Sequence, residues 1–248
     1  MLDKNTIALL QQLSNRFETP DFIKGDPSFF MHQTKDVVNQ ETIAFVASAL
    51  SYGNREQFMK KIRILMNLSD GDMYNYVLHD GYKKDFKPND TTSFYRLYSH
   101  ALMYDFFRVY QSLLKQHSSL KNYINTKNVT TISAIQHIID YFSQQGICTI
   151  IPKNTSSACK RLCMFMRWMV RDNSPVDIGI WKNVIDKRTL IIPLDTHVLS
   201  QAYQLGLIDS KTASMSNAIK LTSTLSEVFP DDPLKGDFAL FGYGISKK

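Results

Sequence analysis

The feature that most constrains the fold of this chain is the helical spacing of its apolar residues. Between Glu41 and Met66 such residues recur every three or four positions, as on the buried face of an amphipathic helix, with a break near Gly53. The apolar runs Cys148–Ile151 and Leu190–Ile192 both end at a proline, which favours connectors over a sheet. The predicted fold class is all-α. Further helices are predicted at about 4–17, 93–117, 131–145, 156–171, 177–186, 196–205, 210–228 and 236–244.

Composition places the chain among compact proteins that fold around an apolar core. With 248 residues, of which 44% are hydrophobic, it can bury a large core as one or two domains. No apolar run approaches the roughly 20 residues of a membrane span, and the N-terminus lacks a signal-peptide pattern. We therefore expect a cytoplasmic protein that does not bind membranes.

Cysteine and histidine spacing excludes several classes of site. Cys148, Cys159 and Cys163 cannot all pair and do not follow a metal-binding spacing, which suits a reducing compartment. The six histidines are scattered, and no phosphate-cradling loop or Ser-His-Asp arrangement is present. No metal site is expected.

The segment Pro193–Ile208 sets an acidic residue at the start of a short helix. Pro193 ends an apolar run, Asp195 stands where an N-cap belongs, and Gly206 stops the helical spacing that follows. Aspartate is among the commonest N-caps. Asp195 is thus either a cap alone or a cap that also carries chemistry.

Basic residues are concentrated in the segment from Lys153 to Arg188. This segment holds eight lysines and arginines but three aspartates, so it supplies nearly all of the net charge of +6. Such a basic patch attracts a polyanion such as a phosphate backbone, although solvated basic faces are also common.

Four sequence motifs together resemble the helix-hairpin-helix DNA glycosylases of the endonuclease III superfamily. The resemblance extends over nearly the whole chain and points to a bacterial family close to the archaeal 8-oxoguanine DNA glycosylases. It implies one glycosylase-like domain over residues 1–248, in which two interleaved helical subdomains form a cleft near 156–205. The motifs are Ser157–Arg171, Val176–Trp181, Pro193–His197 and Asp237–Gly242.

The resemblance implies two catalytic residues, Lys160 and Asp195. In the bifunctional members of the superfamily, a lysine attacks the sugar C1′ while an aspartate stabilises developing positive charge. Lys160 also falls in or near the first turn of its predicted helix, where the helix dipole disfavours an ammonium. An alternative register places Arg161 at the nucleophile position, and an arginine cannot form a Schiff base. Lys160 is otherwise a surface lysine on a DNA-facing helix.

The predicted hairpin is a variant. The superfamily has a Leu-Pro-Gly-x-Gly core, whereas the stretch from Ile151 to Ser157 has the proline but neither glycine. Asn154 is expected to adopt a positive φ in their place. Hydroxyl caps are expected before the following helix, where unpaired N–H groups suit a phosphate. The expected DNA contacts here are Lys153, Thr155, Ser156, Ser157 and Arg161.

Recognition of the damaged base is assigned to two further places. The break at Gly53 resembles the turn that inserts a side chain into the gap left by a flipped base, a role open to Asn54 or Tyr52. Arg55 is placed to reach the opposite strand, although a simple helix end is the alternative. Phe165, Trp168 and Trp181 are candidates for stacking on an extruded base, but aromatic residues at helical spacing also serve as core.

The sequence and the resemblance together predict a DNA repair glycosylase with abasic-site lyase activity, acting on an oxidised purine such as 8-oxoguanine. The partner is DNA with a damaged base or abasic site, in a monomeric, nucleoid-associated protein without a cofactor. The iron–sulfur cluster of many relatives is not expected, because no cysteine follows Cys163. Two alternatives stay open: a noncatalytic DNA-binding protein on the same scaffold, and a monofunctional glycosylase that uses Asp195 to activate water.

Overall fold

A computed structural model describes residues 2–246 of the chain, and this part is mostly helical. It divides into two compact units, each built from separate stretches of sequence. The first unit contains the residues up to Lys24, Val129–Ile135, and the chain from Asn154 onward. The second unit contains Gly25–Asn128 and Gln136–Lys153. The predicted all-α class is confirmed.

Twelve α-helices and one short β-hairpin are found within residues 2–246. Two 3₁₀ helices, Pro20–Ile23 and Pro27–Gln33, follow the first α-helix, and a third covers Lys187–Thr189. The hairpin consists of β1 (Ser93–Tyr95) and β2 (Tyr98–Ser99). The α-helices are α1 (Lys4–Phe17), α2 (Val37–Leu50), α3 (Arg55–Leu68), α4 (Met73–Leu78), α5 (Tyr82–Asp85), α6 (His100–His117), α7 (Leu120–Ile124), α8 (Thr131–Gln144), α9 (Lys160–Val170), α10 (Thr196–Gln204), α11 (Met215–Ser226) and α12 (Lys235–Ser246).

Side-chain caps set the start of most of these helices. A short polar side chain accepts a hydrogen bond from a backbone N–H in the first turn, which satisfies a donor that has no partner within the helix. The predicted starts at 4 and 196 coincide with those of α1 and α10, which Asp3 and Asp195 cap, whereas α4, α5 and α7 were not predicted. The capping residues are Asp3, Asp36, Asn54, Asp72, Ser99, Ser119, Asp195 and Ser214.

The first unit packs its terminal helices closely. Helix α1 lies against α12, and Gly242 allows this approach, because a Cβ atom there would lie 2.2 Å from the Phe17 ring. Phe22 adds edge contacts to Phe238 and Phe241, with ring centroids 4.9 and 4.8 Å apart. The core of this unit thus joins the two ends of the described chain.

The second unit is built around α2, which is buried on nearly all sides. Phe45 of this helix packs on Phe106, Tyr110 and Phe142 of α6 and α8, with centroids between 4.9 and 5.9 Å apart. Such aromatic pairs add to the burial of apolar area. The buried Glu41 carboxylate accepts the backbone N–H of Leu120 at 2.7 Å and so fixes the start of α7.

The predicted break near Gly53 is confirmed. Gly53 has φ +80, a left-handed backbone that favours glycine, and Asn54 then caps α3. A Cβ atom at Gly53 would also lie 2.8 Å from the Arg96 guanidinium. The turn between α2 and α3 is therefore packed against the hairpin.

The prediction of one helix over 93–117 is wrong for its first seven residues. These form the hairpin, in which Arg96 takes a left-handed φ of 51 and Ser93 pairs with Ser99. Helix α6 begins at His100 because the Ser99 hydroxyl caps it. The spacing of Phe94, Tyr95 and Tyr98 was compatible with a helix, but these three residues are buried in the two strands of the hairpin.

The predicted helix over 177–186 is absent, since this stretch forms turns. Asp177 does not cap a helix; its carboxylate is buried between two arginine side chains. Gly179 has φ +63 and approaches the Arg171 carbonyl so closely that a Cβ atom would lie 2.9 Å from it. Buried ion pairing thus overrides the local helical pattern.

The helix predicted over 156–171 begins at Lys160, four residues later than expected. Cys159 holds the N-cap position with a left-handed φ of 44 and forms no side-chain cap bond, so the expected hydroxyl caps are wrong. Asn154 is not among the residues with positive φ, which corrects a second expectation. Instead its Oδ1 accepts the Ser156 N–H at 3.0 Å.

Candidate active site

Lys160 and Asp195 lie together at the starts of two helices of the first unit. The Lys160 Nζ atom is 2.9 Å from Asp195 Oδ2, and the two side chains are 40% and 28% exposed. Lys160 is the first residue of α9, and Asp195 is the N-cap of α10. The structure therefore brings together the two residues that the resemblance marks as catalytic, and solvent reaches both.

The two oxygens of the Asp195 carboxylate have separate partners. Oδ1 accepts the backbone N–H groups of His197 and Val198 at 2.9 and 2.8 Å, while Oδ2 faces Lys160. The predicted cap is therefore found. One oxygen caps α10, and the other faces an amine.

The Asp195 carboxyl is held in its charged form. Partial burial raises its pKa, but the Lys160 charge and the hydrogen bond from the Val198 N–H outweigh burial and lower the pKa below its usual value. Asp195 is thus an anion at neutral pH. This state suits the stabilisation of a nearby positive charge better than the donation of a proton.

The start of α9 is held by the backbone before it. The Cys159 Sγ lies 3.6 Å from the Asn154 carbonyl oxygen and 3.7 Å from the Ser157 hydroxyl. Ser157 also forms a backbone bridge with Ser214, just before α11. The loop and its contacts therefore fix the position from which Lys160 extends.

One face of α9 carries a row of cations that meet carboxylates. Arg167 lies two helical turns beyond Lys160 on the same side. It donates from Nε to Asp177 Oδ1 at 3.2 Å and from Nη1 to Asp237. Asp237 is thus a buried ion-pair partner within the first turn of α12.

Arg171 continues the row one turn further on and is 1% exposed. It holds Asp232 with two hydrogen bonds of 2.9 and 2.8 Å, and it also reaches Asp177 at 2.5 Å and Glu18 at 2.7 Å. We call the six residues in this set the arginine–carboxylate cluster: Glu18, Arg167, Arg171, Asp177, Asp232 and Asp237. A buried charge is tolerated where partners satisfy it in this way.

The arginine–carboxylate cluster changes the interpretation of the basic segment. Arg167 and Arg171 are neutralised inside the protein, and further bases of the segment have surface partners, with Lys187 2.7 Å from Asp172 and Arg188 2.5 Å from Asp186. Much of the excess charge counted in the sequence is therefore locally balanced. The expected large basic patch is smaller than the residue count implied.

Phe165, Trp168 and Trp181 are each 0% exposed. Phe165 and Trp181 form an edge-to-face pair with centroids 5.1 Å apart. These three aromatic residues are core side chains in this conformation and present no face for an extruded base. The alternative given for them, that they serve as core, is the arrangement found.

The remaining candidates for DNA contact divide between the two units. In the first unit, Ser156 and Ser157 are exposed, and Thr155 and Arg161 are half-buried. In the second unit, Lys153 and Arg55 are exposed, while the Asn54 side chain is engaged as a cap, with Oδ1 3.1 Å from the Gln57 N–H.

Sequence reasoning missed the pairing in the arginine–carboxylate cluster, although most of its residues lie in the motifs that carry the resemblance. The signal was a set of arginines and aspartates at motif positions without an assigned role. Their pairing is not visible locally, because Arg171 meets Glu18 across 153 positions of sequence.

Metal-binding clusters and membrane-spanning helices are both absent from residues 2–246. No group of three or more His, Cys, Asp or Glu side chains in this range is arranged to hold a metal ion. In the same range, no helix is both long enough and apolar enough to cross a bilayer.

The sequence pattern of one protein family matches residues 26–246, which includes Lys160, Asp195 and all of the arginine–carboxylate cluster except Glu18. That family is described as a protein of unknown function (DUF2400). The chain belongs to this family. No curated protein and no solved structure matches the chain. The DUF2400 match thus assigns family membership, and the case for a function depends on the site itself.

Proposed function

We propose that this chain is a DNA N-glycosylase with abasic-site lyase activity that acts on an oxidised purine such as 8-oxoguanine. The observation that carries the proposal is the contact between the Lys160 amine and the Asp195 carboxylate, 2.9 Å apart and open to solvent. The class of damaged base, an oxidised purine, is taken from the resemblance to the archaeal 8-oxoguanine glycosylases.

The chemistry needs an amine and an anion in these places. Lys160 loses a proton to solvent, its nitrogen lone pair forms a bond to C1′, and the base departs with the electrons of the glycosidic bond and takes a proton from solvent. Asp195 stabilises the positive charge that develops on the sugar. The C1′–O4′ bond then breaks with protonation of O4′ to give a Schiff base, and loss of a C2′ proton expels the 3′-phosphate by β-elimination. No redox step occurs.

In the resting structure the Lys160 amine contacts the Asp195 carboxylate, so substrate binding has to separate this pair before attack. The pair is also partly exposed, and such pairs contribute only about 1 kcal/mol or less. Breaking it is therefore a small part of the activation barrier.

Borohydride trapping on a duplex with one 8-oxoguanine or abasic site tests the proposal. Wild type is expected to give a covalent adduct, which is lost in Lys160→Gln and in Lys160→Arg. The arginine variant keeps the charge for a DNA phosphate but cannot form a Schiff base. It thus separates a nucleophile from a surface lysine that only contacts DNA.

Asp195→Asn separates the charge of this residue from its capping role, because an asparagine oxygen can still cap α10 while the negative charge is removed. We expect the fold to be kept and trapping to slow by about a hundredfold or more. The matched control is the Lys220–Asp209 pair, which has the same kind of contact at 2.8 Å on an exposed surface of the same unit. Lys220→Gln and Asp209→Asn should trap as wild type does.

Two other outcomes would identify the alternatives. DNA binding without any adduct would favour a noncatalytic binding protein. Base release that survives Lys160→Gln and is lost in Asp195→Asn would favour a monofunctional glycosylase. An adduct that persists in Lys160→Gln would contradict the assignment of Lys160 as the nucleophile.

A further inference from the structure

A second carboxylate lies beside the Lys160–Asp195 pair within the first unit. Asp237 stands in the first turn of α12, and Asp195 caps α10. A Cβ atom at Gly244 of α12 would lie 3.5 Å from the side chain of Gln201 on α10. Gln201 and Gly244 follow Asp195 and Asp237 by nearly the same number of residues, about 10 Å at the helical rise. Asp195 is also close enough for its charge to add to the rise that burial causes in the pKa of Asp237. The two helices therefore start side by side.

The two oxygens of Asp237 are in different environments. Oδ2 accepts a hydrogen bond from Arg167 Nη1, whereas no hydrogen bond to Oδ1 is formed within residues 2–246. Both oxygens of Asp177 and both oxygens of Asp232 are, by contrast, bound by arginines. Asp237 is 9% exposed, and a buried carboxylate oxygen normally has a partner. Its Oδ1 is thus free to exchange a proton with a neighbouring group.

The surroundings of Asp195 and Asp237 shift the two carboxyls in opposite directions. Burial raises the pKa of Asp195, but the Lys160 charge and a backbone hydrogen bond outweigh burial and lower that pKa overall. Burial also raises the pKa of Asp237, and there the Arg167 charge does not cancel the effect. Asp195 therefore suits a lasting negative charge, whereas Asp237 is the better proton acceptor of the two.

Charged groups meet Asp237 from each element packed around the start of α12. Arg167 of α9 and Asp177 of the turns after α9 belong to the arginine–carboxylate cluster, and Asp195 belongs to α10. On the side of α1, Glu18 binds the other arginine of the cluster at 2.7 Å. All of these residues lie in the first unit, together with Lys160.

We propose that Asp237 moves the proton in the proposed reaction: its Oδ1 takes a proton from protonated Lys160 and passes that proton to the departing base. The Lys160 N–H bond breaks with its electrons left on nitrogen, so the amine can attack C1′. The proton then leaves Asp237 for the base nitrogen that keeps the electrons of the glycosidic bond. Each transfer is direct or crosses one water molecule. The inference rests on the proposed function and gives Asp237 the two proton transfers that solvent would otherwise perform.

The rate of base release measured over a range of pH tests this role. Asp237→Asn keeps an oxygen for Arg167 but has no carboxylate to accept a proton. It should slow single-turnover release of 8-oxoguanine by about a hundredfold near neutral pH. The deficit should shrink at high pH, where hydroxide takes the Lys160 proton instead.

The wild-type rate should fall as the pH drops through the pKa of Asp237, because this carboxyl has to be ionised to accept a proton. Asp237→Glu keeps an ionisable carboxyl and should retain this loss of rate at low pH, whereas Asp237→Asn should lack it. The glutamate variant also keeps the negative charge beside Arg167, so it tests the role even where the asparagine variant does not fold.

Asp232→Asn is the matched control, because it removes another carboxylate of the arginine–carboxylate cluster, from a residue that is 8% exposed. It should keep the wild-type rate and pH profile. If Asp237→Asn matches Asp232→Asn at every pH, or if Asp237→Glu shows no loss of rate at low pH, the inference is overturned. Borohydride trapping by wild type would then still support the proposed function. If wild type neither releases the base nor is trapped, both proposals fail.

Discussion

Arg171 shows at the scale of one residue how buried charge supports the candidate site. Its side chain meets three carboxylates while 1% exposed. Burial alone raises the pKa of Asp177 and Asp237, and the arginine charges oppose that rise. The pKa of both carboxyls stays above its usual value, so the arginine charges limit the effect of burial without cancelling it.

Arg171→Met should lower the free energy of unfolding by about 3–5 kcal/mol, because it leaves buried carboxylates without a partner. Urea denaturation measures this. The control is Arg188→Met, which removes a solvent-screened pair with Asp186, in which the side chains are 65% and 42% exposed, and should change the free energy of unfolding far less. Equal losses in the two variants would show that the arginine–carboxylate cluster does not stabilise the first unit.

Two glycines of α12, Gly242 and Gly244, differ in how closely another side chain approaches them. A Cβ atom at Gly242 would meet the Phe17 ring at 2.2 Å, whereas one at Gly244 would meet Gln201 at 3.5 Å, an ordinary contact. Both positions are helical, so an alanine gains the same helix propensity at each.

Gly242→Ala should destabilise the protein by about 1–3 kcal/mol through overpacking of α1 against α12. Gly244→Ala should be neutral or stabilising by up to about 1 kcal/mol. Thermal unfolding of both variants checks the difference. A Gly242→Ala variant as stable as Gly244→Ala would argue against the close approach of the two helices.

Several helices were predictable because a polar cap precedes a regular apolar spacing, as at Asp3 before α1. The short helices α4, α5 and α7 were not predicted, and two further stretches were assigned wrongly. The hairpin at 93–99 depends on contacts of Tyr95 and Arg96 with a turn about forty residues earlier. The absence of the helix predicted over 177–186 depends on Arg167 of α9 and on Arg171, which follows α9. Contacts between residues that are distant in the sequence override the local spacing of apolar residues, and the local sequence does not reveal them.

The candidate site was predictable only in part. Residue types and motif positions marked Lys160 and Asp195, and the cap at Asp195 followed from its place before an apolar helix. The contact between their side chains required the fold. The sequence also did not predict that Leu97, at the tip of the β-hairpin, is 70% exposed, because residues 93–117 were assigned to one helix.

At the scale of the whole molecule, the distribution of paired and exposed charge governs how DNA binding responds to salt. Lys153 is exposed, whereas Lys187 is matched by Asp172 at 2.7 Å, which lowers the pKa of that aspartate. Net charge alone, at +6, does not distinguish these two lysines.

Lys153→Gln should weaken binding to any sequence and reduce the slope of log K against log salt by about one. Lys187→Gln should change the slope much less, since its charge is already compensated. Binding titrations at several salt concentrations give both slopes. Equal reductions would mean that the Asp172 pair opens on DNA, contrary to this account.

The central claim is that the Lys160 amine attacks the sugar beside the Asp195 carboxylate. The most direct measurement is mass spectrometry of the borohydride-trapped complex after proteolysis, which locates the modified residue. We predict that the adduct lies on Lys160 in wild type and is absent in Lys160→Arg. An adduct on another amine, or DNA binding without any adduct, would contradict it.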